Sequence, residues 1–80
     1  MQNDLFPSVA NLISQTLGIN LEQITGEFSY GDAPEWDSLG HMNLMLALEE
    51  KYGIQVTADT ITNLVSIPTI IYYLMEHNHV

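Results

Sequence analysis

Ser38 and His41 come nearest to chemistry in this sequence, because a hydroxyl and an imidazole three residues apart on a helix share one face. With His41 as base, Ser38 would be a nucleophile and the chain a hydrolase. That reading lacks an oxyanion hole, a visible pocket and enough chain to build one. The two remaining histidines, His77 and His79, lie at the end of the chain and read as surface residues. There is no cysteine, which removes thiolate nucleophiles, thiolate metal sites and disulfides. The glycines form no phosphate-cradling loop and the carboxylates show no metal-loop spacing, so no catalytic residue and no metal site is expected. What remains is a serine made available without being activated. Asp37 reads as the N-cap of a helix whose first residue is Ser38, and an anion attached there would sit at the positive end of the helix dipole.

The elements that must position Ser38 follow from apolar spacing. Leu5, Phe6, Val9, Leu12, Ile13 and Leu17 predict a first helix over 5–17, with Asp4 as its N-cap, Pro7 in its first turn and Gly18-Ile19 as its stop. Residues 20–36 are punctuated by Gly26, Gly31 and Pro34, with Leu21, Ile24, Phe28 and Trp36 as anchors and a short turn of helix over 21–24. The segment reads as a tethered loop whose aromatics plug the core rather than contact a ligand. A second helix is predicted over 38–52 and closed by Gly53, its core face formed by Leu44, Met45, Leu48 and Tyr52. Leu39, Met42 and Leu46 make a second apolar stripe, rimmed by Glu49 and Glu50. That stripe is either a docking surface or a face that the long loop covers.

After Gly53, Ile54-Gln55-Val56 is too short and isolated to make a sheet. A brief helix is expected over 58–64 with Ile61 and Leu64 facing in. A last one is capped by Ser66, with Pro68 in its first turn and Ile67, Ile70, Ile71, Leu74 and Met75 at helical spacing. The fold class is all-α: a small bundle of three main helices and one short helix in a single domain spanning 1–80, with a long loop between helices one and two.

Composition narrows the partners. Ten acidic residues against one basic residue give a net charge of −9 over 80 residues, which excludes phosphate-backbone binding and makes nucleic acid an unlikely partner. At 46% hydrophobic, the chain is too apolar for a disordered acidic tail, so the charge belongs to a folded surface that steers encounters toward basic patches or simply confers solubility. No basic-then-apolar leader opens the chain and no run approaches the roughly 20 apolar residues of a membrane span, so a cytoplasmic soluble monomer is expected.

Asp37-Ser38-Leu39 at a helix start, followed by Leu44-Met45-Leu46-Ala47-Leu48-Glu49-Glu50-Lys51-Tyr52-Gly53-Ile54, resembles the acyl carrier proteins. Val56 to Asp59 is similar to the start of that family's third helix, and Leu64-Val65-Ser66-Ile67 through Tyr73-Leu74 to its last one. The resemblance implies that Ser38 carries 4′-phosphopantetheine, attached from coenzyme A by a Mg²⁺-dependent phosphopantetheinyl transferase. The arm would hold an acyl or aminoacyl thioester, so that the protein presents cargo and catalyses nothing itself. It further implies that Asp37 orients the transferase, that Leu39, Met42 and Leu46 dock the loading and acyl-using enzymes, and that Glu49 and Glu50 meet their basic rims. Many fatty-acid carriers have acidic residues where this chain has Gly40 and Asn43, which points to those two positions for partner choice. Trp36 before the serine and Gly40-His41 after it look more like free-standing carriers of specialised pathways. An aminoacyl or peptidyl carrier loaded by an adenylating enzyme and an unmodified helical adaptor are the alternatives.

Overall fold

The computed structural model describes residues 2–77, with side chains from Leu5 onward. Four helices follow in order: α1 over Gln2–Leu17, α2 over Ser38–Tyr52, α3 over Ala58–Asn63 and α4 over Ile67–Glu76. A single 3-10 turn, Leu21–Gln23, interrupts the long connection between α1 and α2, with Asn20 accepting a hydrogen bond from the Glu22 backbone N–H. The all-α bundle of three main helices and one short helix is the predicted one. Among the described residues no helix is long and apolar enough to cross a membrane.

α1 begins at Gln2 rather than at 5, so Asp4 falls inside the first turn instead of capping it. The Asp4 side chain lies outside the described residues. Pro7 is accordingly inside the helix rather than in its first turn, where it forfeits one backbone bond. The predicted stop holds: Gly18 adopts φ 73°, its N–H bonds the Ser14 carbonyl at 2.9 Å, and Ile19 tucks into the core.

The core is one cluster. Val9 and Ile13 from α1, Leu44, Met45 and Leu48 from α2, and Ile67, Ile70 and Leu74 from α4 are at most 1% exposed and meet around Trp36 and Ile54. Each such side chain removed from water contributes about 1.5–3 kcal/mol. Two predicted inward residues fail: Leu21 is 44% exposed and Met75 is 37% exposed.

The long connection is fastened at both ends and in the middle. Phe28 and Trp36 are buried against each other, ring centroids 5.8 Å apart, as core plugs. Ser29 pairs with Ser66 in an isolated antiparallel bridge, in which Tyr30 N–H donates to the Val65 carbonyl at 2.8 Å and Ile67 N–H to the Phe28 carbonyl at 2.9 Å. Asp32 accepts the Ser29 N–H at 2.9 Å, and Gly31, at φ 88°, donates to the Trp36 carbonyl. The segment is therefore a built wall laid against the mouth of α2.

Candidate functional site

α2 starts where predicted because Asp37 stays extended and its carboxylate accepts the Gly40 N–H at 2.9 Å. Ser38 is then the first helical residue, exposed, with no acidic side chain in the first turn. The backbone N–H groups of that first turn have no intrahelical carbonyl to reach, and apart from the Gly40 N–H taken by Asp37 they are left as donors at the end of the helix that bears the hydroxyl.

Ser38 stands at the edge of an open cleft of about 560 Å³, lined by Ser29, Tyr30, His41, Met42, Ile61, Val65 and Ser66. The contact to the Ser38 hydroxyl comes from Tyr30: the two side-chain oxygens are 3.1 Å apart, and either can donate. Tyr30 also presents its ring edge-on to His41, at 5.7 Å and 88°.

His41 is not a base for Ser38. It is buried, its Nδ1 accepts the Trp36 indole N–H at 3.0 Å, and its Nε2 lies 2.8 Å from the Ile61 carbonyl. An indole nitrogen can only donate, so Nδ1 carries no proton and Nε2–H donates to Ile61. Both nitrogens are thus spent on tying the loop, α2 and α3 together, and the Ser–His arrangement weighed in the sequence is not assembled.

The second stripe of α2 faces solvent. Leu39 is 72% exposed, Leu46 53% and Met42 39%, so the loop does not cover them. Glu49 and Glu50 are exposed farther along the same helix, as is Asn43. Gly40, however, is buried, and a Cβ there would stand 2.2 Å from the Glu35 carbonyl oxygen. Its identity is set by close approach of the loop to the helix rather than by a partner, which corrects the role expected for it. His77 is exposed and stacks on Tyr73 at the end of α4, away from Ser38, while His79 lies outside the described residues. Among the described residues no group of three or more His, Asp or Glu side chains is placed to hold a metal ion.

Tyr30 escaped the sequence reading, and Ile61, expected to face the core, and Val65 were not expected beside Ser38. Tyr30 lies in an irregular stretch with no periodicity, and the bridge to Val65 that aims it at Ser38 leaves no local signal. An exposed serine without a base, held by a neighbouring hydroxyl beside an open cleft, is suited to bearing a group rather than to breaking a bond. For a phosphodiester at Ser38 the residues present offer a side-chain donor, the Tyr30 hydroxyl, while the Asp37 carboxylate is turned to the Gly40 N–H that it caps.

No family model matches the chain. Among curated proteins, it is 25% identical over 75 residues to meromycolate extension acyl carrier proteins of Mycobacterium leprae, Mycobacterium bovis and Mycobacterium tuberculosis, an overlap that takes in 94% of this chain. The chain spans 65% of the length of those relatives. The chain is thus similar to these acyl carrier proteins over most of its own length, and its all-helical bundle is consistent with that similarity.

Proposed function

We propose that the protein is a discrete carrier that presents acyl thioesters on a 4′-phosphopantetheine arm attached to Ser38, and that it has no catalytic activity of its own. The observation that carries this reading is the exposed Ser38 hydroxyl at the first position of α2, beside an open cleft, with both nitrogens of the neighbouring His41 already bonded elsewhere. The arm supplies the thiol that a cysteine-free chain lacks. Ser38 provides the point of attachment, and Asp37 caps the helix that presents it while offering a carboxylate to the transferase. Leu39, Met42 and Leu46 form the apolar patch on which loading and acyl-using enzymes settle, and Glu49 and Glu50 meet basic residues at the rim. The pathway is biosynthetic, of the fatty-acid, polyketide or a related specialised kind.

The test is intact-mass measurement after incubation with coenzyme A, Mg²⁺ and a broad-specificity phosphopantetheinyl transferase. A single phosphopantetheine addition to the wild type and none to Ser38→Ala is expected. No addition, or addition that survives Ser38→Ala, refutes the reading. Loading trials with amino acids and with malonyl or fatty acyl donors then separate an acyl carrier from an aminoacyl one.

A further inference from the structure

We propose that Tyr30 is the positioning residue of the attachment point, its phenolic hydroxyl holding the Ser38 oxygen in the unmodified protein and donating to the phosphodiester once Ser38 is modified. The inference rests on Ser38 being the attachment site, and it adds a residue from a different part of the chain to that site.

Three observations support it. The Tyr30 and Ser38 oxygens are 3.1 Å apart, although both residues are exposed and water was available to each. The Tyr30 backbone is pinned by its N–H to the Val65 carbonyl at 2.8 Å, within the Ser29–Ser66 bridge. The Tyr30 ring stands edge-on against His41, which is itself locked between Trp36 and the Ile61 carbonyl, so the phenol is aimed by the loop, α2 and the connection before α4 together. An exposed tyrosine held from three sides has already lost much of the freedom that a contact with an added group would otherwise cost.

The chemistry on the two sides of modification differs in a useful way. A free serine hydroxyl can donate to Tyr30 or accept from it. An esterified Ser38 oxygen has no proton left, and the oxygens around phosphorus only accept, so Tyr30 becomes the donor and its bond gains from the negative charge on the acceptor. A donor at Tyr30 would favour a phosphate on the side of Ser38 that borders the cleft.

The experiment uses Tyr30→Phe, which removes one oxygen and keeps the ring against His41. Both proteins are loaded with phosphopantetheine, verified by mass, checked for equal melting temperature and compared by ³¹P NMR. A displaced phosphodiester resonance in loaded Tyr30→Phe is expected. In the wild type, the Tyr30 ¹³Cζ resonance should also move on loading while those of Tyr52, Tyr72 and Tyr73 stay in place. An unchanged ³¹P resonance in the loaded variant overturns the assignment with the attachment site intact. If folded Tyr30→Phe accepts no arm, the role of Tyr30 lies before transfer and the assignment is overturned as well. If the wild type accepts none, the attachment reading itself fails and takes the inference with it.

Discussion

The indole N–H of Trp36 points at His41 Nδ1 from 3.0 Å, with the two rings inclined by only 26° and their centroids 6.2 Å apart. This contact closes the loop onto the helix that carries Ser38, and His41 passes the connection on to α3 through the Ile61 carbonyl. A histidine that the sequence offers as a base is in fact a structural bracket.

Breaking that bracket should cost stability rather than chemistry. Trp36→Phe leaves Nδ1 buried without a donor and should destabilise by about 1–3 kcal/mol from that loss alone, with a further contribution from the void. His41→Ala strands the indole N–H and should cost a similar amount or more. In urea denaturation, the double variant should lose less than the sum of the two, because the pair is in contact. Additive losses would show that the contact is not energetically coupled.

Gly40 should resist enlargement. Gly40→Ala gains about 1 kcal/mol of helix propensity, yet its Cβ meets the Glu35 carbonyl oxygen at 2.2 Å, a backbone atom that cannot rotate aside. Overpacking of this kind costs about 1–3 kcal/mol and should win, lowering the denaturation midpoint. Asn43→Glu, at an exposed position on the same helix, should change stability by no more than about 0.5 kcal/mol. An acidic residue is thus admissible at 43 and not at 40.

Asp37 combines a cap with a charge, and the two can be separated. Asp37→Asn keeps an oxygen for the Gly40 N–H and should retain stability, whereas Asp37→Ala should lose about 1 kcal/mol. If the transferase reads the carboxylate, both variants should be modified more slowly than the wild type, as followed by the time course of mass addition. Full-rate modification of Asp37→Asn would confine Asp37 to capping.

The exposed stripe of α2 makes the opposite prediction from the core. Leu39→Ala and Leu46→Ala should leave thermal stability nearly unchanged, since both side chains already face water. Each should still lower the kcat/KM of the enzyme that loads the acyl group by roughly tenfold, equivalent to about 1.4 kcal/mol of lost docking. Leu48→Ala, fully buried on the other face of the helix, should cost about 2–5 kcal/mol of stability. Unchanged kinetics in both stripe variants would move the docking surface elsewhere.

Sequence by itself determined the helices, their order, the Asp37 cap, the Gly53 stop and the exposure of Ser38. Each depends on residues within a few positions of one another: side chains that repeat every three or four places, a carboxylate three residues from the N–H it accepts, a glycine free to take φ 75°. The family resemblance could be seen for the same reason, being carried by contiguous residues around Ser38. Tertiary structure alone decided the neighbourhood of that serine. Whether Leu39, Met42 and Leu46 were covered depended on the path of the loop, and that path is set by Ser29 pairing with Ser66 and by Trp36 reaching His41. The same pairing carries Tyr30 to Ser38 and presses the Glu35 carbonyl onto Gly40. Only the Ser29–Ser66 pairing joins distant parts of the chain; the others span five to eight residues across the junction of loop and helix, where no periodicity foretells which side chains meet, so they are fixed only once that pairing has set the loop's path.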